Sequence, residues 1–191
     1  AIATNNSITS IRLTQSPPNH TDFVEAFATL LTSRSLSEVI FDSNCIQDEV
    51  ILETKPSLID ALNTSTSLTS LSFQHLHLKK SIPALSKMLG FNQNLSKLGL
   101  NNLYAEAQSW EIFIESIANA PMLTELDLSK NYLRLEACEK FHDALISNQY
   151  LSTLTLSACS LNSKCVEPLF KGLIASKHSA VTCLNLSENS L

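Results

Sequence analysis

The side chains in this chain best suited to chemistry are two histidines two residues apart, His75 and His77, and five cysteines. Alternate residues of an extended segment point to the same side, so a His-x-His pair can offer two imidazoles to a metal ion. Two ligands do not close a site, and Cys45 or Tyr104 would be a stretch as a third. The pair therefore reads as two solvated histidines on a binding face, with no cofactor. Cys45, Cys138, Cys159, Cys165 and Cys183 are odd in number and contain no Cys-x-x-Cys pair. That favours free thiols in a reducing, cytoplasmic compartment over a disulfide framework. Phosphate-cradling Gly-rich loops, Gly-x-Ser-x-Gly elbows and His-Glu-x-x-His helices do not occur. The chain reads as a non-enzyme without a small-molecule substrate.

Composition narrows the partners. A formal net charge of -5 over 191 residues offers no general attraction to nucleic acid or to an anionic membrane. No apolar run approaches the length of a membrane span, so no membrane insertion is expected. With 44% apolar but only 6% aromatic residues, the core must come from many similar aliphatic units. What remains is a protein partner.

The elements that would position these residues follow from one pattern. Leu123, Leu126, Leu128 and Leu133 stand at the first, fourth, sixth and eleventh places of a stretch whose ninth place is Asn131. Leu126 and Leu128 alternate with Glu125 and Asp127, as in a short strand with one buried face. Asn131 follows the strand, where a buried turn has backbone groups that need a side-chain partner. The pattern starts near residues 8, 36, 68, 95, 123, 151 and 181. The first unit is degenerate, with Ile11 and Leu13 followed by Ser16 and Pro18, and the second carries Asn44 and Ile46.

Between these motifs the spacing turns helical. Phe23, Phe27, Leu30 and Leu31 share one face, with Thr21 or Asp22 able to cap the start. So do Trp110, Phe113, Ile114 and Ile117, then Cys138, Phe141, Leu145 and Ile146, then Val166, Phe170, Leu173 and Ile174. A helix restarting at Pro56 or Ser57 carries Leu58, Ile59 and Leu62 inward, and Pro83 opens another that buries Leu85 and Leu89. Pro168 should shorten or kink the helix it lies in.

A unit of about 28 residues with a strand and a full helix resembles the leucine-rich repeat family, in particular its ribonuclease-inhibitor-like class. The asparagines of Asn92-x-x-Leu95 and Asn148-x-x-Leu151 fit that class. Leu76 and Leu103 depart from its ninth-position Asn or Cys, whereas Cys159 sits where a buried structural cysteine is common. The resemblance implies an α/β solenoid, a curved segment with a parallel sheet on its concave face, helices on its convex face and about seven repeats over residues 1–191. A solenoid must cover its terminal core with a polar-faced unit. Neither end of the sequence reads as one, so a segment of a longer protein is expected.

In such a solenoid the residues between the leucines face the open side of the sheet, and the next few form the loops at its edge. Large or charged side chains gather there in units two to five: Glu38, Asp42, His75, His77, Lys97, Asn102, Tyr104, Glu125, Asp127, Lys130 and Tyr132. Unit six presents only small residues, and Cys183 falls on the exposed side of its strand. With neighbouring strands about 4.8 Å apart, His77, Tyr104 and Tyr132 can line up as one ridge. Tyrosine buries a large area yet keeps a polar tip, which suits a binding anchor. Related repeats serve as enzyme inhibitors, actin and GTPase regulators, immune receptors and effectors injected by pathogenic bacteria, for which the compartment would be the host cytosol. The expected function is capture of a folded protein, as inhibitor, scaffold or effector. The alternatives are the targeting segment of a larger kinase, GTPase or ubiquitin ligase, and self-association through the convex or lateral surface.

Overall fold

The computed structural model describes residues 7–14, 21–31, 35–43, 45 and 58–191, the side chains of residues 21–25 excepted. Strands and helices alternate: β1 (Ser10–Thr14), α1 (Thr21–Leu31), β2 (Glu38–Asp42), α2 (Leu58–Thr64), β3 (Ser70–Gln74), α3 (Ile82–Phe91), β4 (Lys97–Asn101), α4 (Ala107–Ile117), β5 (Glu125–Asp127), α5 (Leu135–Ser147), β6 (Thr153–Thr155), α6 (Ser163–Ala175) and β7 (Cys183–Asn185). The seven described strands form one parallel sheet in chain order, and each described helix packs on the next described one. Parallel neighbours need a long crossover, and the helices supply it. Ser16, Pro18, Asn44, Ile46, the helix restart at Pro56 or Ser57, the side chain of Phe23 and the capping groups of Thr21 and Asp22 lie outside the described residues.

Register follows the repeat. Leu98 pairs with Leu126, which pairs with Leu154, and each sits one place from the next along the sheet. Positions four and six of the strands from β2 to β6 are buried, including Val39, Leu71 and Leu126 at the fourth and Phe41, Phe73 and Leu128 at the sixth. Phe41 stacks on Phe73 at 5.1 Å and 11°, and Phe27 of α1 meets Phe41 edge-on at 5.6 Å. Each such side chain contributes about 1.5–3 kcal/mol through burial. A unit of one strand and one helix buries this face only against its neighbours.

Three backbone devices recur at the seams between units. The second position is a hydroxyl residue in every unit: Thr9, Ser37, Thr69, Ser96, Thr124, Ser152 and Thr182. From Ser37 onward each hydroxyl donates to the carbonyl of its counterpart one strand earlier, at 2.9–3.4 Å. Two backbone N–H groups converge on the same oxygen, as at Thr124, where Ser152 and Thr153 both donate. The eighth position has positive φ in every described unit from the second on: Ser43, His75, Asn102, Lys130, Ala158 and Glu188, between 51° and 60°. There the chain leaves the sheet for the loop, and of the six only Asn102 and His75 are residue types enriched in this conformation.

Buried asparagines make the third device. Asn131 donates to the carbonyls of Leu128 and, one unit back, Leu100, and accepts from the N–H of Leu103. Asn189 treats Leu186, Leu156, Cys159 and Leu161 in the same way. Leu103 thus needs no asparagine of its own, because the next unit reaches back to its backbone. Before the strands, Asn92 donates to Leu62 O and accepts from the N–H groups of Asn94 and Leu95; Asn148 repeats this with Ile117, Tyr150 and Leu151.

The helices follow the expected stripes except at their C-terminal ends in α5 and α6. Pro83 falls in the first turn of α3, and Leu85 and Leu89 are buried. Trp110, Phe113, Ile114 and Ile117 are all in the core, as are Cys138, Phe141 and Leu145, but Ile146 is exposed. In α6 the buried stripe is Cys165, Val166, Leu169 and Gly172, whereas Phe170 is exposed and Ile174 is 84% exposed. The reason is Gly172: a Cβ there would lie 2.7 Å from the His142 carbonyl oxygen and 2.9 Å from its Cα. The backbones of α5 and α6 meet at that glycine, so residues 165, 169 and 172 face inward and 170 and 174 turn out. Pro168 neither ends nor shortens α6, which matches α5 at 13 residues. The Asn162 side chain, accepting from the N–H groups of Lys164 and Cys165, and the buried stripe offset the one helical hydrogen bond Pro168 removes.

Candidate functional site

Among the described residues, no helix covers the face of the sheet formed by positions three, five and seven of the strands. Its centre is a shallow depression of about 280 Å³ around Gly99, with Ser72, Lys97, Glu125, Asp127 and Thr155 on its walls. The absent side chain at 99 makes the floor: a Cβ would stand 2.8 Å from the Ser72 hydroxyl oxygen.

Several of the charges expected to meet a partner are paired within the chain, Lys130 being an exception. Lys97 and Glu125, side by side on β4 and β5, close a 2.8 Å ion pair while both stay about half exposed. At the other end of the face, Asp42 accepts from His75 Nδ1–H at 3.0 Å and lies 3.5 Å from the Arg12 guanidinium. Arg12 also donates to Gln74 Oε1, and Glu38 accepts from the Ser10 hydroxyl at 2.6 Å. The hydrogen bond from His75 holds the Asp42 carboxyl below the usual carboxylate range, against the opposing effect of burial and helped by the Ser43 hydroxyl and the nearby Arg12 guanidinium. Asp127 accepts from both the N–H and the hydroxyl of Ser129, so one of its oxygens shapes the turn after β5. Asn185 makes the same bond to the N–H of Ser187.

Beyond the strands, the rim separates into two parts. His75 turns toward Asp42, while His77 lies flat on Tyr104, ring centroids 4.3 Å apart and planes 9° apart. Tyr132 instead carries the Arg134 guanidinium carbon 6.0 Å above its ring. Between Tyr104 and Tyr132 opens a pocket of about 250 Å³, floored by Trp110 and edged by Asn102, Lys130 and Arg134. The two tyrosines are 56% and 65% exposed. Backbone bonds from Tyr104 N–H to Leu76 O, Asn102 N–H to Ser129 O and Lys130 N–H to Ser157 O hold the loops that carry these groups.

Arg134 and Trp110 escape a reading confined to the eleven-residue motif. Arg134 is its twelfth place, the residue before α5, and Trp110 reads only as core. The hydroxyl column at the second position, also missed by that reading, leaves a signal in the sequence, seven Ser or Thr residues in register, and it belongs to the scaffold.

The cysteines divide by burial. Cys183 is exposed, and Cys45, Cys138, Cys159 and Cys165 are buried. Cys159 donates through its thiol to Leu128 O at 3.1 Å, in the place Asn131 and Asn189 occupy in the flanking units, and burial pushes its pKa up to about 11. Burial likewise raises Cys138, with Cys165 and Cys159 close by, and Cys45. Among the described residues, no three His, Cys, Asp or Glu side chains converge as a metal site, and no helix is long and apolar enough to cross a membrane.

The architecture defines a class: an α/β protein with a consecutively ordered parallel sheet backed by helices, consistent with a leucine-rich-repeat-type solenoid. No protein-family model matches the chain, and no curated protein sequence matches it. Solved structures do. The tropomodulin C-terminal domain of Caenorhabditis elegans superposes with a TM-score of 0.63 at 16% identity, over 80% of this chain and 92% of that one. Leiomodin-1 Actin-Binding Site 2 superposes with a TM-score of 0.59 at 13% identity, over 83% and 92%. At these identities the likeness is one of fold.

Proposed function

We propose that this chain is a non-enzymatic protein-binding module, a single leucine-rich-repeat domain of about seven repeats in the ribonuclease-inhibitor-like class, working in the cytoplasm. It holds a folded partner against the uncovered sheet face and the loops that follow the strands. The observation that supports this most directly is the combination of a bare sheet face and a rim carrying two tyrosines more than half exposed. Tyr104 and Tyr132 act as anchors, and the Lys97–Glu125 and Arg12–Asp42–His75 pairs provide a polar surface that can re-pair with partner charges. The five free thiols fit a reducing compartment. Because Leiomodin-1 Actin-Binding Site 2 shares this fold, actin is the first partner to test.

The experiment is affinity capture with Thr153→Arg and Thr155→Arg combined, two small strand residues on the face whose enlargement leaves the core untouched. Capture of actin, or of a partner identified by mass spectrometry, should be lost while circular dichroism and Tm stay as in the parent. Undiminished capture would rule out the sheet face.

A further inference from the structure

Charge on this molecule is unevenly satisfied. Arg12, Lys97, Lys140 and Lys171 each sit against a carboxylate. Among the described residues, Lys79, Lys87, Lys130, Arg134, Lys164 and Lys177 have no acidic partner, and of these Lys130 and Arg134 border the pocket between Tyr104 and Tyr132. Glu106 and Glu136, acidic neighbours along the chain, do not line it. Two uncompensated cations therefore meet at one aromatic pocket on a chain whose net charge is -5.

We propose that this pocket receives a carboxylate side chain standing next to an aromatic or aliphatic residue, within an acidic segment of a protein partner. The inference rests on the protein-binding reading and names its chemistry. The pocket's roughly 250 Å³ is below the 300–1,000 Å³ range usual for cofactors and drug-sized ligands, so it suits one or two side chains. Trp110 and the tyrosine rings offer the apolar part a floor and walls. Arg134, its guanidinium carbon 6.0 Å from the centre of the Tyr132 ring, brings a planar fork able to make two parallel hydrogen bonds to a carboxylate. Lys130 stands on a residue at φ 60° whose N–H is bonded to Ser157 O, so its stem leaves a fixed point. Ala107, first residue of α4, also lines the pocket, and the amide end of that helix adds positive potential. Tyr104 is held from behind by the His77 ring.

The test is an amide-shift titration of the ¹⁵N-labelled chain with blocked Gly-Phe-Glu-Gly, its Gln, Lys and Gly-Gly-Glu-Gly counterparts, and inorganic phosphate. The Glu peptide should move amides of residues 102–107 and 130–134 and bind about tenfold tighter than the Gln peptide. Combined Lys130→Gln and Arg134→Gln should remove that preference, and Tyr132→Ser should weaken both peptides, with each variant's unligated spectrum otherwise unchanged. Equal affinity for Glu and Gln, shifts confined to the strands, no shift at all, or phosphate and Gly-Gly-Glu-Gly matching the Glu peptide would each overturn the assignment. If peptides fail while the Thr153→Arg, Thr155→Arg variant still abolishes capture, the pocket falls and the protein-binding reading stands. If capture is also unaffected, the sheet-face reading falls with it.

Discussion

Asn131 accepts the backbone N–H of Leu103 at 2.8 Å and donates to the carbonyl of Leu100 at 2.6 Å, so one side chain completes the strand exit of the preceding unit as well as its own. Replacing it by Ala would take this partner from the Leu103 N–H and the Leu100 carbonyl in the core, while the Leu128 carbonyl keeps the Cys159 thiol. The expected loss is about 2–4 kcal/mol in urea unfolding, several times the net value of one ordinary hydrogen bond. Asn131→Cys should lose about half as much, because Cys159 shows that a thiol can serve the equivalent carbonyl.

Gly172 permits the backbone contact between α5 and α6. In a free helix Gly→Ala would be stabilising by about 1 kcal/mol. Here the new Cβ would meet backbone atoms of His142, which cannot rotate aside. Gly172→Ala should therefore destabilise by about 1–3 kcal/mol, as overpacking does. Gly99→Ala, whose nearest obstacle is the rotatable Ser72 hydroxyl, should change Tm little.

Six side chains at the described strand exits occupy left-handed backbone, and none is glycine. Ala158, at φ 54°, has little else to contribute there. Ala158→Gly should raise stability by about 0.5–1 kcal/mol, since glycine removes a strain of roughly 1–2 kcal/mol and costs part of it in unfolded-state entropy. A fall in the urea midpoint would refute this.

Thiol labelling separates the cysteines. Native chain treated with N-ethylmaleimide at pH 7.5 should gain one adduct, at Cys183, within the time that four further adducts appear in denaturant. Burial raises Cys45, Cys138 and Cys159 and keeps them protonated and inaccessible. Peptide mapping that found early modification at Cys159 would contradict the buried hydrogen bond to Leu128.

Asp42 links stability to pH. Its folded pKa is depressed, so its carboxylate contributes stability that is present above the ordinary carboxylate pKa and lost as pH falls through the lower folded value. Asp42→Asn should cost up to about 1 kcal/mol at neutral pH. Its stability curve should converge with that of the parent chain in acid, below the carboxylate range. Parallel curves from pH 7 to pH 2 would exclude the effect.

The strands were readable because their signal is local. Alternating Leu126 and Leu128 with Glu125 and Asp127 specifies a half-buried strand wherever it occurs, and its recurrence specifies neighbours. Helix faces were readable where sequence periodicity alone decides burial, as for Trp110, Phe113, Ile114 and Ile117. They were misread in α6 because Phe170 and Ile174 match the apolar period as well as Leu169 does. The close approach at Gly172, a contact with His142 thirty residues away, determines which set turns inward. Likewise the columns on the sheet face could be written from the repeat, but nothing in Lys97 or Glu125 taken singly says that they pair.

By itself, then, the sequence determined a ladder of strands, the leucines that bury it and the residues that face outward. Those depend on patterns within one unit or on its repetition. Only the tertiary structure decided which outward charges neutralise one another, that Asn131 serves Leu103, and that Tyr104 and Tyr132 enclose a pocket where Lys130 and Arg134 stay unpaired. These are distances across units, set by the stagger of one loop on the next, and no short stretch of chain encodes them.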